Sequence, residues 1–159
     1  MKLQRTFITI AGVFCAVGFG PSQANAGDPP PTCISPGNPV PMTIEVNALR
    51  APGKTISAGP NEAKNVTAKA RILKGTAVRG TTINTTLTIE ALDGEDVIST
   101  NSAAGWITLE VGKGGNGAKL SLDIPQCNSG SIEFVATFVG KDEDGGDCEG
   151  TERLLKECK

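Results

Sequence analysis

The chain contains no histidine and no tyrosine, with one tryptophan and five phenylalanines among 159 residues. Without histidine there is no Ser-His-Asp triad, no Cys-His nucleophile pair, no imidazole metal ligand and no histidine pH switch. So few aromatics mean that a core must rest mainly on Val, Ile, Leu and Ala. A strong excess of one charge sign is lacking too. The 15 basic and 17 acidic residues, net −2, exert no global attraction on nucleic acid. Long hydrophobic runs are also missing. The stretch from Thr6 to Gly20 has about fifteen residues, short of the roughly 18–20 that cross a bilayer as a helix.

That short run has a recognisable setting. Lys2 and Arg5 precede it, and Pro21, polar residues and Ala24-Asn25-Ala26 follow it. A positive start, an apolar middle and a small-x-small end predict a secretory signal over residues 1–26, cleaved after Ala26. Cys15 reads as a small apolar member of the run, because Phe14 stands where a lipoprotein signal needs a small residue. Cleavage leaves 133 residues at net −4, with no transmembrane anchor and an expected location in a periplasm, at a cell surface or outside the cell. The remaining aromatics are Trp106, Phe134 and Phe138. A chain of this length buries roughly two thirds of its unfolded surface, enough for one domain.

Prolines crowd the start of this mature chain. Residues 27–39 lie in a proline-rich stretch (GDPPPTCISPGNPVP continues to Pro41) and read as an extended leader. From residue 40 to 159 the pattern changes to a period of two. Val40, Met42, Ile44, Val46 and Ala48 alternate with polar residues, as do Val66 to Ile72, Ile83 to Ala91, Ile107 to Val111, Leu120 to Ile124 and Ile132 to Phe138. Each run has one dry and one wet face, which is the signature of half-buried strands. Asp93-Gly94, Gly112 to Gly117, Asn128-Ser129-Gly130 and Gly145-Gly146 supply turns between them. A weaker strand near Val97–Thr100 and a last one at Arg153–Cys158 bring the expected total to seven or eight, in an all-β antiparallel sandwich.

This strand rhythm, from about Val40 to Cys158, resembles bacterial secreted immunoglobulin-like or fibronectin type III-like domains. The resemblance implies an immunoglobulin-like β-sandwich behind a cleaved signal and a leader. It carries no functional residue over. In antibody-type domains a core Trp follows the first of two bridged cysteines, whereas here Trp106 lies nearer the second of Cys33 and Cys127.

Four cysteines survive cleavage: Cys33, Cys127, Cys148 and Cys158. An even number in an exported chain points to two disulfides. Ten residues separate Cys148 from Cys158, too far in an extended or helical segment for the 4.4–6.8 Å Cα separation of a disulfide. A terminal hairpin brings Cys158 back toward Cys127. In sandwiches whose first strand runs beside the last, Cys33 comes near Cys148. The expected bonds are therefore Cys127–Cys158 and Cys33–Cys148. A zinc site built from four cysteines wants close pairs, and the intervals here are 94, 21 and 10 residues.

Candidate binding residues are few. Asp142, Asp144 and Asp147, in the acidic turn that also holds Glu143 and precedes Glu149, offer hard oxygen ligands of the kind calcium takes. Their register departs from an EF-hand loop, and a solvated hairpin turn whose charges keep an edge soluble is the simpler account. Calcium is the one candidate ion, and no other cofactor is indicated. Arg50 to Arg79 holds seven basic residues against Glu62 alone, and Lys69 and Arg71 share the wet face of one strand. Such a stripe suits an anionic glycan, a lipid headgroup or the acidic end of a second copy. Nucleic acid is disfavoured, because no aromatic interleaves the basic residues. Trp106 falls on the parity opposite Ile107, Leu109 and Val111, which sets it outward as a potential glycan platform. Thr81 to Thr88 is threonine-rich like the flat faces of ice-binding proteins, but one strand makes no array. The reading that follows is a non-catalytic exported binding, structural or adhesion domain, with self-association in scope. A calcium- or glycan-binding module is the first alternative, and a small enzyme or enzyme inhibitor the second.

Overall fold

The computed structural model describes residues 32–35, 38–57, 59, 62–73, 78–141 and 147–159. Among these there is no helix, and nine strand segments run in chain order: β1 (Thr32–Ser35), β2 (Asn38–Arg50), β3 (Glu62–Ile72), β4 (Thr82–Asp93), β5 (Asp96–Ser102), β6 (Ile107–Glu110), β7 (Asn116–Ile124), β8 (Ser131–Lys141) and β9 (Asp147–Glu157). The segment expected as a secretory signal lies outside the described residues. No described helix is long and apolar enough to cross a membrane.

The strands form two sheets, ordered β1-β2-β3-β7 and β5-β4-β8-β9, with β6 also paired to β4. Every strand pairing is antiparallel. β5 and β6 run in succession along one edge of β4, opposite Thr88–Asp93 and Thr82–Thr85 respectively. Ladder hydrogen bonding begins earlier than the period-two pattern predicts. Thr32, Cys33, Ile34 and Ser35 interrupt the prolines, retain their N–H groups, and pair as β1 with the start of β2.

The inward residues of both sheets meet in one core. Ile44, Val66, Ile72, Leu120, Leu122 and Ile124 come from one sheet, and Ile83, Leu87, Ile89, Leu109, Ile132, Phe134 and Phe138 from the other. Phe134 and Phe138 are fully buried and supply its largest side chains. Thr85 is the polar exception on the dry face of β4. Its Oγ1 donates to the Ile107 carbonyl at 2.8 Å, so its burial leaves no unpaired hydroxyl. Two side-chain amides tie the open edge of β7 to the other sheet: Asn101 Nδ2 donates to Ser121 O at 2.8 Å and Asn116 Nδ2 to Thr108 O at 3.0 Å.

The opposite flank closes differently. After β2 the chain crosses to the second sheet, where Ile56 makes a parallel bridge to Cys158. Ile56 N–H donates to Glu157 O at 2.8 Å, and Lys159 N–H donates to Ile56 O at 3.0 Å. Cys158 is bonded to Cys127, as the terminal hairpin predicts. Cys148 is buried and also disulfide-bonded. The side chain of Cys33, its expected partner, lies outside the described ones.

Candidate functional site

A β-bulge decides where the basic residues of β2 point. Period-two alternation puts Ile44, Val46 and Ala48 on the dry face, and by extension Arg50 with them. The register of β2 against β3 shifts between Val46 and Ala48. Asn47 is the inserted residue, and parity reverses beyond it. Leu49 and Ala51 turn toward the core, while Ala48 takes the rung of Lys69 and Arg50 the rung of Thr67. Ala48 on the dry face is therefore corrected by the structure, and Arg50 becomes an outer-face residue.

On the other side of β3, Thr67 pairs with Lys119 and Lys69 with Gly117. Directly paired residues share a face, so Arg50, Thr67 and Lys119 form one row across three strands. Ala48, Lys69 and Gly117 form the next. Arg50 and Lys119 sit two strand spacings apart, roughly 10 Å. Lys69 is offset by about 7 Å along β3. The floor between them carries only Ala48, Thr67 and Gly117. Gly117 cannot be enlarged, because a Cβ there would lie 1.9 Å from Ala68 O. Ala48, Arg50, Thr67 and Lys69 line a shallow concavity of about 310 Å³.

The electrostatics of this face are lopsided. Arg71 Nε is held by Glu45 at 2.5 Å, and Lys64 pairs with Glu62. Among the described residues no carboxylate forms an ion pair with Arg50, Lys69 or Lys119. Three cations therefore share a small patch and repel one another, an arrangement that an anion relieves. Of the two expected basic residues, Lys69 belongs to this cluster, whereas Arg71 is neutralised by its cross-strand partner.

No protein-family model, curated protein or solved structure matches this chain.

Other sequence candidates separate from this patch. Trp106 is 64% exposed, in line with its parity, and lies on the other sheet beside β6. Asp142 and Asp144 lie outside the described residues, and Asp147 is described only in its backbone. Asp93 is a carboxylate that the sequence did not single out. It is nearly buried at the end of β4 and accepts the backbone N–H groups of Asn128 at 2.6 Å and Ser129 at 2.8 Å. The Ser129 hydroxyl and these N–H groups hold its carboxyl below the ordinary carboxylate range. Its oxygens are committed to pinning the β7–β8 connection, which makes it a structural acceptor rather than a proton-transfer group.

Arg50 and Lys119 were invisible as partners of Lys69. Lys119 lies in a stretch whose net charge is negative, and Arg50 needs the bulge to face outward. A sequence signal exists only for Asn47, a polar residue beside a small one where the apolar alternation weakens.

Proposed function

We propose that this chain is an exported, non-catalytic binding domain of the immunoglobulin-like or fibronectin type III-like kind, engaging an anionic partner through the outer face of β2, β3 and β7. The carrying observation is the unneutralised cluster of Arg50, Lys69 and Lys119 over a floor of small residues. Planar guanidinium and flexible ammonium groups together suit carboxylate, sulfate or phosphate groups repeated along a polymer or displayed on a surface.

The strand order supports the fold part of this reading. Two sheets built from β2-β3-β7 and β5-β4-β8-β9 follow the A-B-E and C-F-G grouping of immunoglobulin-like sandwiches, with β5 added at the edge of β4. Export is supported by the charged start, apolar middle and Ala24-Asn25-Ala26 ending of the first 26 residues, and by disulfide bonding, which persists in oxidising compartments.

Retention on sulfated and on uncharged agarose beads across a salt gradient tests the proposal. Retention is expected on the sulfated matrix only, falling as salt rises. The double variant Lys69→Glu/Lys119→Glu should lose it, while Lys54→Glu/Lys113→Glu, equal in charge change but elsewhere on the surface, should keep most of it. Equal losses from the two variants would reduce the effect to net charge and overturn the assignment of the face.

A further inference from the structure

A second surface lies on the other sheet and uses different residues. Between β5 and β6 the edge strand is interrupted by four residues, 103–106. β4 supplies only Thr86 and Leu87 between the rungs Thr88–Ser102 and Thr85–Ile107. Ala103 N–H returns to Leu87 O at 3.0 Å, and its side chain packs on the core. The excess chain is therefore thrown outward at Ala104, Gly105 and Trp106, all of them exposed.

An isolated exposed apolar side chain is ordinary on a protein surface. The setting of Trp106 is not. Ser102, Thr88, Thr137 and Thr151 form one hydroxyl row across four strands of the outer face. Thr88 Oγ1 lies 2.9 Å from Ser102 Oγ, and Thr137 Oγ1 lies 3.4 Å from Thr151 Oγ1. Thr86 stands at the level of the interruption. One rung further, Thr108 Oγ1 donates to Asn84 Oδ1 at 2.8 Å. The indole thus borders a stretch that carries hydroxyl and amide groups and no charge. Charged side chains begin one row out, at Glu90 on one end and at Glu110 on the other, and across the sheet at Glu149.

We infer that Trp106, with Asn84, Thr86, Thr88, Ser102 and Thr108, forms a binding site for a neutral polysaccharide. A pyranose ring presents a C–H face that packs on an indole, and hydroxyl groups that exchange hydrogen bonds with side-chain hydroxyls and amides. The uncharged surroundings match an uncharged ligand, which pays no ion desolvation at this face. The site occupies the edge of its sheet, where a long chain can pass without meeting a cavity wall. It is independent of the basic face of β2, β3 and β7.

The protein contains one tryptophan, so intrinsic fluorescence reports this site alone. The full exported chain is titrated with dextran, mixed-linkage β-glucan, neutral arabinoxylan and galactomannan, in parallel with affinity electrophoresis in gels containing each polymer. At least one polymer is expected to give a saturable spectral shift and retarded migration, both unchanged at high salt. Trp106→Ala should weaken the retardation by about thirtyfold or more, the scale of losing an aromatic anchor, while Trp106→Phe keeps part of it. Circular dichroism of the variants checks that they fold. Lys69→Glu/Lys119→Glu should bind these polymers normally, which separates this proposal from the basic-face reading. Silence with all four polymers would overturn the inference. So would retardation indifferent to Trp106→Ala, or a spectral shift that follows protein concentration alone and so reveals a second copy as the occupant.

Discussion

Asp93 shows how much one side chain can hold. Its carboxylate gathers two backbone N–H groups from the turn that follows β7, beside the Cys127–Cys158 bond. Because its pKa is depressed in the folded chain, the carboxylate favours folding at any pH above the ordinary carboxylate value. That contribution disappears as pH falls through the lower folded value. The urea midpoint of the wild type should therefore drop on acidification below about pH 4. Asp93→Asn should be less stable at neutral pH and show a shallower acid slope, measured as urea midpoints between pH 2 and pH 7. An identical slope in the variant would assign the acid sensitivity to other carboxylates.

Gly150 acts through what it lacks. A Cβ there would lie 2.7 Å from both Ile44 Cγ2 and Ile44 O. The methyl could yield, but the carbonyl belongs to the β2 ladder. Gly150→Ala should consequently cost about 1–3 kcal/mol, the usual range for overpacking, read as a lower urea midpoint with an unchanged slope. Thr85→Val tests a different balance. It keeps the shape but leaves the Ile107 carbonyl without its 2.8 Å donor, and should cost about 1 kcal/mol.

At the scale of elements, the C-terminal hairpin is the best-secured part of the fold. β8 and β9 pair continuously from Ser131–Glu157 to Lys141–Asp147, and the disulfide closes a separation of 31 residues. Chain-entropy reasoning gives such a loop about 3–4 kcal/mol. Cys127→Ser/Cys158→Ser should lose stability on that scale in equilibrium unfolding, with β9 exchanging amide hydrogen before the other strands. Most of these elements were legible because they obey one rule. Residues of β4 alternate strictly between buried and more exposed positions, and β8 does so except at Val135, so parity in the sequence becomes sidedness in the sheet. The rule fails where the backbone slips by one residue. Asn47 shifts the phase of β2, and the four residues before Ile107 split one edge into β5 and β6. The split at 103–106 leaves no mark in hydropathy and Asn47 only a weakening of the alternation, because each event is set by pairing with a distant strand. The short β1 was obscured by its proline-rich surroundings, which dominate composition although Thr32 to Ser35 contain no proline.

For the whole molecule, the two sheets present unlike outer faces: among the described residues, one bears Arg50, Lys69 and Lys119 without an ion-pair partner, while the other carries a row of hydroxyls and an indole besides the Glu133–Arg153 pair. Lys69 and Trp106 were readable as exposed from parity alone. Their companions were not, since Lys119 is 50 positions from Lys69 and reaches it only through the β3–β7 register. On the export reading, intact-mass analysis of protein recovered outside the cytoplasm should give a chain starting at Gly27, with every cysteine after residue 26 oxidised. A product retaining residues 1–26 would contradict that reading.

The latch around Cys158 also sets how the fold carries mechanical load. This residue is tied covalently to Cys127, while its N–H donates to Gly130 O at 2.9 Å and Ile56 bridges to it from the crossing segment. Tension applied at Lys159 therefore passes through sulfur to the end of the β7 connection and bypasses residues 128–157. Peeling β9 away from its Cys158 end under load first requires reduction of that bond, while Cys148, itself disulfide-bonded, ties β9 at its other end.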